Sequence, residues 1–230
     1  MTFSPEEWGA VLLSLKVSGI AVLASLPLGI AVALVLARGR MPGLWLLNAV
    51  VHLPLILPPV VTGYILLIVF GRNGAIGGFL ERSIGLVFAF RWTGAALAAA
   101  IMGFPLMVRA IRIAIEAVDP GLEQAARTLG ARPWAVFATI TLPLIAPGII
   151  AGAILAFAKA MGEFGATITF VSNIPGRTQT LPSAIYALLQ VPGGEAAAAR
   201  LAGISVLIAI TAVLCSDFIA RSVAQRIKGR

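Results

Sequence analysis

Residues 43–70, GLWLLNAVVHLPLILPPVVTGYILLIVF, contain no Asp, Glu, Lys or Arg. A stretch of about 20 predominantly apolar residues is enough to cross the hydrocarbon core of a bilayer, and a run this long has no place in a water-soluble domain of ordinary composition. The rest of the chain agrees. Of its 230 residues 60% are hydrophobic and 11% charged, with mean hydropathy +1.01, whereas soluble domains carry about 25% charged residues. The sequence therefore predicts an all-α polytopic membrane protein, because helices satisfy their own backbone groups where no water is available. The formal charge of +8 reads as basic loops at a membrane surface, and nucleic acid is not an expected partner.

Five stretches are long and apolar enough to span: 10–37, 44–70, 86–115, 139–162 and 196–220. Together they make one transmembrane domain over residues 1–230. The apolar piece 180–191 is broken by Pro182 and Pro192, and reads as a re-entrant helix or as a short helix on the outer surface. A sixth span built from it or from 75–90 is the alternative count. With odd spans running inward, one side holds ten basic residues: Arg38, Arg40, Arg109, Arg112, Arg127, Arg132, Arg221, Arg226, Lys228 and Arg230. The other holds five: Arg72, Arg82, Arg91, Arg177 and Arg200. The excess places the N-terminus outside and the C-terminus in the cytoplasm. Glu6 and Glu7, where a signal peptide would be basic, mark the first span as retained. Cys215 is the single cysteine and His52 the single histidine, so no metal site is expected.

Between the third and fourth spans lies a polar insert at 116–138, facing the cytoplasm on this topology. Asp119-Pro120 supplies an N-cap followed by a proline at the first helical position, and Gly130 supplies a left-handed stop. A second start follows at Arg132-Pro133. Leu122, Ala125, Ala126 and Leu129 fall at i, i+3, i+4 and i+7 and form an apolar stripe. Glu123, Gln124, Arg127 and Thr128 form the opposite polar face. By periodicity alone this is equally a docking helix or a helix lying on the membrane surface.

The run Gln124-Ala125-Ala126, three residues, Gly130, nine residues, then Ile140-Thr141-Leu142-Pro143 resembles the EAA motif of permease subunits of type I binding-protein-dependent ABC importers. The resemblance implies that fold, with a short cytoplasmic coupling helix that docks on a separate ATP-hydrolysing subunit through Glu123, Gln124, Ala125, Ala126 and Gly130. Gln124 stands where the motif has glutamate, with Glu123 one place earlier, about 100° around the helix; a salt bridge to the ATPase is thereby put in question while the packing face is kept. A second stretch, GEFGATITFVSNIPGRTQTLPSAIY at 162–186 with QVPGGEAAAARLA at 190–202, resembles the permeases of molybdate importers and, more distantly, those for sulfate and thiosulfate. The family implies a homodimer in the inner (plasma) membrane of a prokaryote. It also implies two copies of an ATP-binding cassette subunit carrying ATP and Mg, an external molybdate-binding protein, surrounding lipid, and no cofactor in this chain.

The chain has no G-x-x-x-x-G-K-[ST] phosphate loop; GRNGAIGG at 71–78 and PGGEAAAAR at 192–200 lack the lysine. It is therefore expected to be a transport subunit and not an enzyme. An ion-coupled secondary transporter would show an internal repeat and paired intramembrane acids, and a membrane enzyme would need a catalytic cluster; neither pattern is present. Glu163 and Lys159, four residues apart near the end of the fourth span, read either as a functional ionisable site or as a self-neutralising pair. By the resemblance Glu163, Phe164 and Gly165 sit near an outer gate. Thr167, Thr169, Ser172 and Asn173 offer hydrogen-bond donors to an oxyanion there, or form a plain interfacial loop. Gly148 and Gly152 make a small-xxx-small step for tight packing on a neighbouring helix.

Overall fold

The computed structural model describes residues 4–228, the side chains of 216–217 and 219–228 excepted. Arg221, Arg226 and Lys228, counted above, fall among these exceptions, and Arg230 lies outside the described residues. No strand occurs among them; the chain is a bundle of helices. Four helices are long and apolar enough to cross a membrane, and one bent pair brings the number to five.

The first helix, α1 (Pro5–Arg38), opens with a capping box. Ser4 accepts from the Glu7 amide and the Glu7 carboxylate accepts from the Ser4 amide, which satisfies two otherwise orphaned donors. Pro27 lies within the helix and does not end it.

The uncharged segment 43–70 departs from a simple span. It divides into α2 (Leu44–Ile56) and α3 (Pro59–Phe70), bent by 113°. Leu57 and Pro58 are extended at the joint, as expected for residues that precede proline, and Pro59 starts the new helix with φ already set. Apolarity made the whole segment compatible with lipid, and the consecutive prolines decided its direction. After α3 comes the short α4 (Ala75–Ile84).

The centre of the bundle is α5 (Trp92–Glu116), with 61% of its most apolar window buried, against 28% or less for the other spans. It begins six residues later than the hydropathy of 86–115 indicates. Gly94, Ala95, Ala98, Ala99 and Gly103 make much of its buried surface small, with Gly94 against Val171 of α9 and Gly103 against Ala156 of α8. Small residues of this kind let backbones approach when lipid offers no hydrophobic drive between helices. After α6 (Pro120–Thr128) and α7 (Pro133–Val136), a single π turn at Phe137–Thr141 leads into α8 (Leu142–Met161). Gly148 and Gly152 of α8 pack on α5: a Cβ at Gly148 would collide with that of Ala114, and one at Gly152 would lie 2.9 Å from the Met107 carbonyl oxygen.

At the far end of α8 the chain breaks and forms α9 (Gly165–Val171). The proline-bounded piece at 180–191 becomes α10 (Leu181–Leu189), seated on α1: the Leu181 amide donates to Ser14 Oγ at 2.6 Å. The last helix, α11 (Glu195–Lys228), is joined to the start of α1 by Arg200, which donates to the Glu7 carboxylate at 2.8 Å. Three apolar clusters follow this plan. One gathers α3 and α9 around the first half of α5, one gathers α1 and α8 around its second half, and one lies between α1, α10 and α11.

Candidate functional site: the helix between two spans and the break beyond α8

The polar insert folds as a helix closed at both ends by its own residues. The Asp119 side chain accepts from the Gly121 amide at 2.8 Å, and Pro120 occupies the first position. At the other end the Gly130 amide donates to the Arg127 carbonyl at 3.0 Å and the Ala131 amide to the Ala126 carbonyl at 3.1 Å. This is the paired closure of a Schellman motif, and it requires the left-handed φ of +86° found at Gly130.

The side of α6 that faces the protein is not the apolar stripe. Leu122 is 49% exposed and Leu129 89% exposed, Gln124 and Ala125 are exposed and Ala126 is half-buried. Glu123, assigned by periodicity to the polar outer face, is the one buried residue of the helix, at 6% exposure. Its Oε2 accepts from Arg38 at the end of α1 and its Oε1 from the Thr141 hydroxyl at the end of the π turn. Burial alone would push this carboxyl up. The Thr141 and Arg38 donors, with the Arg38 and Arg127 charges, outweigh it and hold the group below its ordinary 4.5. Glu123 is therefore an anion joined to two other elements, and what α6 offers to the outside is Leu122, Ala125 and Leu129, extended by Trp134 of α7 at 69% exposure.

The π turn is the local device behind this contact. Its closing bond runs from the Leu142 amide to the Phe137 carbonyl, five residues back, and such single turns are rare insertions in α-helices that recur at functional sites. Sequence reasoning passed over Arg38 and Thr141 as partners of Glu123. Arg38 is 85 residues away in the chain, and nothing in local spacing connects them.

Beyond α8 the carboxylate of Glu163 is held locally. Lys159 Nζ, one helical turn earlier, lies 2.7 Å from Oε2, and the Ala166 amide donates to Oε1 at 2.9 Å. The side chain is 1% exposed, and by accepting from Ala166 it caps the first turn of α9. Phe164 is half-buried with its ring 5.1 Å from that of Tyr186. Gly165 lies against the α2–α3 joint: a Cβ there would come within 2.7 Å of Pro59 Cβ, so the two helix breaks meet. Thr167 is buried, and the Thr169 hydroxyl donates to the Gly165 carbonyl at 2.9 Å. Ser172 is exposed, with φ +65° and ψ −175°, a conformation seldom taken by residues other than glycine. Its neighbour Asn173 keeps Oδ1 buried with no partner among the described residues. Within one copy of the chain these groups form a packed junction of α3, α8 and α9; of the six candidates Ser172 is exposed, Phe164, Gly165 and Thr169 are half-buried, and Glu163 and Thr167 are buried.

An all-helical bundle with four to five candidate spans, and a capped helix set between two of them, has the fold of an ABC importer permease. The chain belongs to the family described as "Binding-protein-dependent transport system inner membrane component", which matches residues 25–229. Among individual proteins it is 62% identical over 226 residues to the molybdenum transport system permease protein ModB of Escherichia coli K12, covering 98% of this chain and 99% of that protein. It is 51% identical to the corresponding protein of Haemophilus influenzae, covering 96% of each. The sulfate transport system permease protein CysW of Synechococcus elongatus is 38% identical, over 86% of this chain and 70% of its own length. A solved bacterial ABC transporter involved in the import of the acidic polysaccharide alginate shares the fold, with a TM-score of 0.75 at 20% identity, covering 96% of this chain and 80% of that one.

Proposed function

We propose that this chain is the membrane-spanning subunit of an ATP-driven importer of molybdate. It works as a homodimer in a prokaryotic inner membrane, with its N-terminus outside and its C-terminus in the cytoplasm. The observation that carries the reading is the outward face of α6. Leu122, Ala125 and Leu129, with Trp134, present apolar surface at the polar insert between two spans, and exposed apolar clusters of this kind mark interaction sites. The partner is the ATP-binding cassette subunit, which holds ATP and Mg. Closure of its dimer shifts α6, and α6 shifts α5 and α8. ATP favours one state of the permease only through a difference in binding free energy between the two.

The cargo follows from the near full-length similarity to the two molybdenum permeases, which exceeds that to the sulfate permease. Molybdate is a tetrahedral dianion, and a path for it needs hydrogen-bond donors without a fixed cationic trap. In this reading the exposed Ser172 offers such a donor near the outer end of the path, and Phe164 with Gly165 at the meeting of the two helix breaks is the element that moves. Recognition of the anion resides chiefly in the external binding protein. Uptake of labelled molybdate into vesicles holding the reconstituted complex tests the reading. Competition by tungstate and little competition by sulfate is the expected result, and equal competition by sulfate would transfer the assignment to the sulfate branch.

A further inference from the structure

The contact between α6 and its own subunit is unusual in what it lacks. No apolar side chain of α6 is buried; the helix is seated by one carboxylate, with one oxygen facing α1 and the other the head of α8. With both oxygens engaged and 6% of the residue exposed, Glu123 has no reach toward an outside partner. An apolar contact would let α6 slide over its bed, since such attraction has no preferred direction. A charge-assisted pair of hydrogen bonds fixes orientation as well as distance. The chain itself joins α6 only to α5 and, through the Gly130 bend and the π turn, to α8. Arg38 adds a third attachment, to a helix of 34 residues that runs roughly 50 Å and is tied at its other end to α10 and α11 through Ser14 and Glu7.

We infer that Glu123 is a positioning residue for coupling: held by Arg38 and Thr141, it makes the end of α1 part of the body that moves with α6. The inference rests on α6 being the docking helix, and it assigns the docking itself to Leu122, Leu129 and Trp134. A displacement of α6 is delivered to three spans together, and the far end of the bundle receives it through α1.

The test uses the complete transporter, permease with its ATPase and binding protein, in vesicles. Co-purification of the ATPase is measured beside the number of molybdate ions taken up per ATP hydrolysed. Arg38→Ala and Glu123→Gln are expected to keep ATPase co-purification within about threefold while uptake per ATP falls tenfold or more. The pair Arg38→Glu with Glu123→Arg restores most of the uptake, since the Thr141 hydroxyl can accept from an arginine as readily as it donates to a carboxylate. Unchanged uptake per ATP in Arg38→Ala overturns the inference. So does loss of ATPase binding in Glu123→Gln as complete as that in Leu129→Asp, because Glu123 would then be a docking residue. A swapped pair that assembles normally and stays uncoupled also overturns it. The underlying reading fails separately: if Leu129→Asp and Trp134→Asp leave ATPase binding intact, α6 is not the docking helix at all.

Discussion

At one end of α8 lies α6, nine residues long with Glu123 as its one buried side chain; at the other lies α9, seven residues long, with Ala166, Phe170 and Val171 fully buried. Each helix is accompanied by a buried carboxylate, Glu123 or Glu163. Glu163 finds its partners within four residues, and its helix is wedged between α3 and α5 by apolar packing. Glu123 reaches 18 residues forward and 85 back, and its helix keeps its apolar side chains exposed. The same chemical group thus completes the end of a packed junction in one place and is the one buried side chain of an exposed helix in the other. A helix that must present apolar surface to a partner cannot use that surface to hold itself down, so its anchorage falls to a directional polar contact.

Removing the long-range tie should have the largest effect. Glu123→Ala leaves Arg38 and Thr141 facing a gap, and with Arg38 partly hydrated the loss should be near the lower end for a broken buried pair, about 3 kcal/mol. Hydrogen exchange over α6 should quicken by roughly a hundredfold, while exchange over α9 stays as it was; equal loosening of both helices would erase the contrast. Breaking the local tie should do less. Lys159→Met deprives Glu163 of a charged donor but leaves the Ala166 amide in place, a loss of about 2 kcal/mol, visible as a lower thermal midpoint in detergent and as faster exchange confined to α9.

A smaller change bears on the local part of the α6 anchorage. Gly130→Val puts a β-branched residue at φ +86°, at a cost of about 1–2 kcal/mol, and tilts the end of α6 that carries Leu129. Substrate-stimulated ATP hydrolysis should be lost with insertion unaffected, and bulky residues at Ala125 and Ala126 should give the same outcome through the docking face. The smallest effect is that of acid. Because Glu123 titrates below its ordinary 4.5, the stabilisation by Arg38, Arg127 and Thr141 is fully present above that pH and is lost as pH falls through the lower folded value. With the other tryptophans replaced by phenylalanine, Trp134 emission should stay flat from neutral pH to about 4.5 and change below it, and Glu123→Gln should abolish that change.

The contrast between near and distant partners also marks how far the sequence could be read. The caps of α6, from Asp119-Pro120 to Gly130 and the restart at Arg132-Pro133, are local chemistry and were legible as such, and so was the pairing of Lys159 with Glu163 one turn apart. The inward turn of Glu123 was not. Periodicity separates an apolar from a polar side but does not say which side faces the protein, and a helix that docks on something else reverses the usual assignment. In residues 43–70 hydropathy reported compatibility with lipid and was silent about direction. The signal for the 113° bend lay in Pro58-Pro59, a pair that leaves Leu57 no helical continuation. The seating of α10 on Ser14 and the tie between Glu7 and Arg200 span most of the chain, and no local pattern announces contacts of that range.

The π turn at Phe137–Thr141 holds one residue more than an α-helix would place there. Deleting a single residue within it would let the turn relax to ordinary winding with the helix on either side keeping its phase, because the wide turn takes up its extra residue locally. Such a deletion takes out the step that places the Thr141 hydroxyl against Glu123, so α6 loses one of its two anchors while every side chain on its outward face stays as it was.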